Sequence, residues 1–488
     1  MRKQKPKKST FERLAQGEAN RRQRRELKRR LYSEDPGLEL VHPDAAGIDI
    51  GNESHFVAVA PGRDTQPVRE FGSWTSDLNC MAEWLKSCGI RTVAMQSTGV
   101  YWFAVYDVLE QHGLEVFLVN AHHTKNLPGR KTDVQESQWL LKLHTCGLLR
   151  NSFRPLEQIR KLRTIWRLRD RHVKEASRSI QHMQKALTSM NVQLANTLSD
   201  ISGVSGQAII RAILKGERDP YKLAGLVSPG VRASREEIAR SLEGHWQEDL
   251  LFELEQAVAA YDFVQKQLEE CDRRLQTYLT AMPSRVMAEN NGGDKPATPP
   301  AGERGTGGKK KKRIPSRNAP KSFDLAAELK RICGVDATRI EGVDVMTVQT
   351  IVAELGADLQ SYWPSENHFA SWLKLSPQRD ISGGKVIRHT RETSRNRVAA
   401  MLRMAATTLL RSDSYLGARY RALRTKLGAA KAVKAMARHL ACLIYRLFTK
   451  GQEWVDRGSQ NFERKCEERE KAALQRKATA LGLKLVAA

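Results

Sequence analysis

Three carboxylates and one serine are the residues of this chain whose type and spacing best suit chemistry. Asp49 sits in an apolar run, Gly47-Ile48-Asp49-Ile50-Gly51. A charge inside such a run is costly unless it is paired or liganded. Asp133 and Glu136 stand three residues apart in a segment that reads as a helix over Asp133–Thr145, so they share a face. Clustered carboxylates repel one another, and a divalent ion resolves the repulsion. Mg²⁺, or Mn²⁺ in its place, is held by a few carboxylates together with substrate phosphate oxygens. The competing reading makes Asp49 a turn or edge residue and the two helical acids surface caps. The serine is Ser382, in Asp380-Ile381-Ser382-Gly383-Gly384-Lys385. Two glycines let a phosphate approach the backbone, and Lys385 can neutralise it. A serine attacks phosphorus if its proton is accepted and the developing charge is stabilised. The plainer reading is a phosphate-binding or simple turn loop.

The elements that must position these groups are legible in outline. Ala46–Ile50 and His55–Ala60 read as strands joined by a tight turn, and Val68–Phe71 as a third strand. A helix over Asp77–Lys86 follows, with Ser76 as its expected N-cap. Then come a strand Arg91–Met95, a helix Tyr101–His112 and a strand Glu115–Val119. The helix from Asp133 opens on Thr132 with Gln135 three residues on, the pattern of a capping box. An antiparallel start followed by alternating strands and helices predicts a mixed α/β sheet of the ribonuclease-H type. In such a sheet the centre of the first strand and a C-terminal helix face one cleft. No G-x-G-x-x-G follows the first strand, which argues against a dinucleotide-binding domain.

The charge points to the partner. The chain has 488 residues, 81 Lys+Arg against 55 Asp+Glu, and a net charge of +26. A surplus of this size repels itself unless a polyanion neutralises it, so nucleic acid is the leading partner class. Residues 150–195 read as a basic helix, apolar at Ile159, Leu162, Ile165, Trp166 and Leu168. Between these stand Arg160, Arg163, Arg167 and Arg171, expected to grip phosphates. A second long helix, Glu248–Leu279, is expected to pair with it as an antiparallel coiled coil or to join protomers. Residues 283–320 are low in complexity and rich in Gly, Pro and Lys, a linker. Beyond it, helices Phe323–Cys333, Asp344–Leu355, Arg395–Arg411 and Ala429–Phe448 are expected. The glycine turn at Gly342 feeds the second of these, and Arg397 is among the many cations of the third. The longest apolar stretch, near His439–Phe448, is interrupted by Arg446, so no membrane span is expected. The basic N-terminus leads into more charge, so no secretory signal is expected. Seven scattered cysteines without a C-x-x-C pair exclude zinc fingers and suit a reducing, cytoplasmic setting.

Several strings together resemble the DEDD-type transposases of bacterial insertion sequences, the bridge-RNA-guided recombinases of the "IS one-ten" group. They are Gly47–Gly51, Met95-Gln96-Ser97-Thr98-Gly99-Val100-Tyr101-Trp102, Leu118-Val119-Asn120-Ala121, Pro128-Gly129-Arg130-Lys131-Thr132-Asp133-Val134 and Leu148–Phe153. The Gly342-Val343 turn, Ser382-Gly383-Gly384-Lys385 and Asn396 are similar to the C-terminal transposase domain of that group. The "eleven-eleven" subgroup is the nearest in pattern. The resemblance implies a RuvC-like domain that binds Mg²⁺ through an Asp-Glu-Asp-Asp set, and a serine that forms a covalent phosphoserine with DNA. It also implies donor and target DNA, a bridge RNA that pairs with both, and a homo-oligomer of two to four protomers associated with the nucleoid. Asp49 matches the first acid, Asp133 the third and Ser382 the nucleophile. Gln96 stands where the second acid is usual and Glu136 where the fourth is an Asp. The metal set would then be Asp49, Gln96, Asp133 and Glu136, with three formal charges in place of four.

The expected organisation is therefore a basic arm (1–43), a RuvC-like α/β domain (44–153) and a basic helical, coiled-coil region (154–282). A linker (283–321), a mainly helical transposase domain carrying the Ser-Gly-Gly loop (322–450) and a charged helical tail (451–488) follow. Two other functions fit parts of the pattern. A metal-dependent nuclease or junction resolvase needs only the acids. An inactive nucleic-acid-binding relic is what Gln96 favours.

Overall fold

A computed structural model describes residues 40–96, 99–120, 132–285, 316, 318–383, 385–390 and 396–451, with short stretches between 471 and 482. The basic arm up to residue 39, most of the linker, most of the tail and the Pro128–Lys131 motif lie outside the described residues. The chain forms two compact units that divide at Arg154 and Pro155.

The first unit is built on a five-stranded sheet in the order β3-β2-β1-β4-β5. Its strands are β1 (Ala45–Ile50), β2 (Ser54–Val59), β3 (Val68–Gly72), β4 (Thr92–Gln96) and β5 (Glu115–Val119). β1, β2 and β3 pair antiparallel; β4 and β5 run parallel to β1. This is the ribonuclease-H, RuvC-like arrangement, with helices α1 (Thr75–Ser87), α2 (Trp102–Gln111) and α3 (Asp133–Thr145) as its cover. Side chains alternate along β1. Ala46, Ile48 and Ile50 enter a core with Val57, Val93 and Met95 of the sheet, Met81 and Leu85 of α1, and Val105 and Leu109 of α2. Ala45, Gly47 and Asp49 point to the opposite face, where α3 lies; Leu140 of α3 packs there with Ala94 and Val119.

α1 differs from the sequence expectation at its start. It begins at Thr75, and Trp74 holds the N-cap position without a side-chain hydrogen bond. Ser76 therefore lies inside the first turn and caps nothing. The box at the head of α3 is present as expected. Thr132 Oγ1 accepts from the Gln135 N–H at 3.3 Å, and Gln135 Oε1 accepts from the Thr132 N–H at 3.4 Å.

The second unit is led by two 33-residue helices, α4 (Glu157–Ser189) and α9 (Glu248–Thr280). Each is about 50 Å long at 1.5 Å per residue. They pack antiparallel: Arg169 meets Asp272 at one level and Lys185 meets Glu253 at another. Between them run the short helices α5 (Leu194–Thr197), α6 (Val204–Leu214), α7 (Pro220–Ala224) and α8 (Arg235–Ser241). These close a core of Met183, Leu187, Ile209, Ile213, Leu242 and Leu254.

Helices α10 (Leu325–Cys333), α11 (Val345–Leu355), α12 (Glu366–Trp372), α13 (Arg397–Thr408), α14 (Tyr415–Leu427) and α15 (Ala429–Lys450) follow. α11 is central, buried at every position from Thr347 to Leu355. Asp344 and Asn396, which the sequence reading placed near helix starts, are the N-caps of α11 and α13. α12 and α14 were not expected from the sequence. α12 is two turns long, and α14 hides its apolar signal, Leu416 and Tyr420, among arginines. The segment around Ser382 is also more regular than the expected loop. It is a hairpin of β6 (Gln378–Ser382) and β7 (Lys385–Thr390).

Candidate metal and strand-transfer sites

The acidic site of the first unit starts from a glycine. A Cβ at Gly47 would lie 2.3 Å from both the Ser137 carbonyl oxygen and the Leu141 amide nitrogen. Only a residue without a side chain lets the backbone of α3 settle directly on β1. Asp49, two residues further on, projects on that same side. The Thr132 cap fixes where α3 begins, so Asp133 and Glu136 occupy its first turn, where the helix N-terminus favours negative charge. The three acids meet electrostatically at this end. The Asp49 carboxyl is pushed from its ordinary 3.8 up to about 6, by burial first, then by Glu136, then by Asp133. The hydrogen bond from the Ile50 N–H opposes this and only partly offsets it.

Gln96 ends β4. The parallel register pairs Gly47 with Ala94 and Ile48 with Met95, so the next residue, Gln96, falls level with Asp49. It shares the face of Ala94, the face that α3 covers, and is buried. Asp49, Gln96, Asp133 and Glu136 therefore stand at one end of the sheet. Asp49 and Glu136 are half-buried and Asp133 is exposed. Among the described residues, no three His, Cys, Asp or Glu side chains converge closely enough to cage an ion unaided. The arrangement is an open acidic mouth. Its donors are hard oxygens with excess negative charge, the chemistry that suits Mg²⁺ completed by phosphate oxygens.

The far end of α3 is held by a group that sequence reasoning passed over. His144 Nε2 lies 2.9 Å from Thr92 Oγ1, and its ring stacks on His42 at 4.6 Å. Burial, reinforced by His42, pushes its imidazole down to about 4, so it stays neutral at pH 7 and acts as a packing group. The pairing links residues 52 apart, and no local pattern announces it.

In the second unit Ser382 is exposed at the end of β6, paired in register with Lys385, also exposed. Gly383 has φ +57°, in the left-handed region that glycine enters without strain, so the tight turn accounts for its identity. The hairpin holds Ser382 at a tip.

The arginines expected to grip phosphate divide into two groups. Arg163 and Arg167 of α4 turn to Glu354 of α11. Arg167 binds both carboxylate oxygens, at 2.8 and 2.6 Å, and Arg163 Nε lies at 3.3 Å. Burial outweighs Glu354 at Arg163 and pushes its guanidinium down to about 10. Arg397, the first residue of α13, donates to Asp170 at 2.8 Å. Arg160 donates to the Pro155 carbonyl oxygen and is half-buried. Arg171 and Lys385 are exposed. The sequence shows the cations of α4 but not their partner, since Glu354 lies 187 residues beyond Arg167.

Comparison with known families defines the class. A model of DEDD-type transposases matches residues 46–192, and one described as the transposase IS116/IS110/IS902 family matches residues 336–421. No curated protein matches the chain. The first match covers the α/β unit and the basic helix α4 that opens the second unit, and the other falls on the helices around the serine hairpin, so this is a DNA transposase, an enzyme of DNA recombination. It belongs to the IS110 family of DEDD transposases. DNA is its partner class, and no helix among the described residues is long and apolar enough to cross a membrane.

Proposed function

We propose that this transposase cuts and rejoins DNA through a phosphoserine formed on Ser382, with a Mg²⁺- or Mn²⁺-binding acidic site in the RuvC-like unit. The observation that carries the reading is that Glu136 and Asp133, in the first turn of α3, lie near enough to Asp49 to help burial drive its carboxyl up to about 6. Asp49, Asp133 and Glu136 would hold the metal as carboxylates, and Gln96 would add a neutral amide oxygen. Bound there, the ion would polarise the scissile phosphate. The low charge of a D-Q-D-E set weakens metal affinity and keeps the hard-oxygen chemistry.

Ser382 loses its proton, its Oγ bonds to phosphorus, and the deoxyribose oxygen leaves as a hydroxyl. The phosphoserine conserves the energy of the broken diester. Attack by a second hydroxyl restores Ser382 and joins the new strand. Exposed Lys385, paired in register with Ser382, neutralises the phosphate. Exposed Arg171 and the outer edges of Arg160, Arg163, Arg167 and Arg397 supply further contacts to nucleic acid. The separate basic surfaces suit an enzyme that handles a bridge RNA with donor and target DNA. The paired α4 and α9 suit a homo-oligomer of two to four protomers, acting at the bacterial nucleoid, with the "eleven-eleven" subgroup nearest in motif pattern.

Trapping tests the reaction. Denaturing gels should show a covalent protein–DNA species that Ser382→Ala abolishes. A covalent species that persists in Ser382→Ala refutes the nucleophile. Cleavage that survives Ser382→Ala but not Asp49→Ala makes the chain a metal-dependent nuclease. Absence of cleavage with any metal, reversed by Gln96→Glu, identifies a decayed acid set.

A further inference from the structure

The turn after β4 carries an exposed apolar patch that the acid chemistry does not use. Val100 is 68% exposed, Tyr101 45% and Phe103 48%. Single exposed apolar residues are ordinary, but three within four positions call for an occupant. The rear of the patch is built rigidly. The Phe103 ring stacks on Trp102 at 4.0 Å, and Trp102 meets Tyr106 edge-on at 6.1 Å. The Arg154 guanidinium lies 3.6 Å above the Tyr106 ring and is anchored by Asp107 and Glu110. Gly99, at φ +57°, leaves room for the Tyr101 ring; a Cβ there would meet that ring at 3.3 Å.

Its position identifies the occupant. β4 runs parallel to β1, so Gln96 and Asp49 end at the same edge of the sheet, and the patch begins a few residues later. Five residues of chain reach at most about 18 Å, so Tyr101 lies within a few nucleotides of a phosphate held at Asp49.

We propose that Tyr101 and Phe103 form a stacking platform for an unpaired DNA base beside the phosphate bound at the acidic mouth. Aromatic rings accept any base on their faces, so the platform holds the strand without reading its sequence. The proposal rests on the acidic mouth being a DNA site, and the test separates the two.

The probe is a short single-stranded DNA carrying one 2-aminopurine, whose fluorescence is quenched by stacking, bound to the full-length protein. Wild type should quench it. Tyr101→Ala combined with Phe103→Ala should abolish the quenching and weaken binding about 5- to 150-fold. Tyr101→Trp should keep both. A matched duplex should bind the double variant and wild type alike. Unchanged quenching and affinity in the double variant overturn the platform. So does an equal loss on the duplex, or quenching confined to an RNA of the same sequence. Asp49→Asn should keep the quenching. If it also keeps cleavage, the acid-site reading fails while the platform stands.

Discussion

Replacing Asp49 with asparagine removes one negative charge from the acidic mouth while keeping its shape. The carboxyl titrates at about 6 in the folded chain against an ordinary 3.8. The native state therefore binds more protons than the unfolded chain between pH 4 and 6, and stability falls as pH rises through that window. Above pH 6 the folded protein carries the full cost of the ionised group. A shift of about two units is worth about 3 kcal/mol, and screening at a half-exposed mouth brings this to about 1–3 kcal/mol. Asparagine keeps an oxygen to accept the Ile50 N–H. Asp49→Asn should therefore stabilise the metal-free RuvC-like unit at pH 7.5 by about that amount and leave it nearly unchanged at pH 4.

Hydrogen exchange of the β1 and β4 amides in the full-length protein reads this unit directly. Millimolar Mg²⁺ at pH 7.5 should slow exchange in wild type and leave Asp49→Asn unaffected, because binding to the native state alone stabilises it. Faster exchange in metal-free Asp49→Asn at pH 7.5 would refute the reasoning. It would mean that the Asp49 charge is held by a favourable partner and is not repelled by Glu136 and Asp133.

Two further substitutions probe the supports. Gly47→Ala places a methyl group 2.3 Å from the backbone of α3, so the helix must shift. We expect a loss of about 1–3 kcal/mol in thermal unfolding together with loss of DNA cleavage, since Asp133 and Glu136 move with the helix. Glu354→Gln removes the buried carboxylate shared by half-buried Arg163 and exposed Arg167. We expect about 1–3 kcal/mol of destabilisation by denaturant titration, with Glu354→Leu no better, because neither replacement restores the charged hydrogen bonds to Arg167.

Where a signal was local, it was legible. The capping box at Thr132, the strand Glu115–Val119 and the bounds of α3 follow from residues within a few positions of one another, and the structure has them as expected. The mixed α/β sheet with its antiparallel start followed from hairpin spacing and strand–helix alternation. What escaped depended on distance in sequence or on weak patterning. α12 is too short to show a period, and the β6–β7 hairpin looks like a loop because its turn is two residues long. At the acidic site, the types of Asp49, Asp133 and Glu136 were readable. Their meeting depends on Gly47 admitting α3, a steric fact that appears only once both elements are placed.

The charge shows the same division. A net charge of +26 counts cations without saying which of them face outward. Glu354, one buried acid of α11, engages Arg163 and Arg167 of α4, and Asp170 of α4 engages Arg397 of α13. Arg169 is buried against Asp272. Part of the basic surplus on α4 thus serves to fasten helices within the second unit, and a phosphate that recruits these side chains must compete with carboxylates already in place. Arg171 is exposed, and among the described residues no ion pair holds it. Affinity for nucleic acid should therefore depend more steeply on salt through Arg171 and Lys385 than through Arg163. Arg397, which donates to Asp170 at 2.8 Å and lies 4.0 Å from Glu354, instead ties the position of α13, which comes after the serine hairpin in the chain, to the same acids that engage the cations of α4.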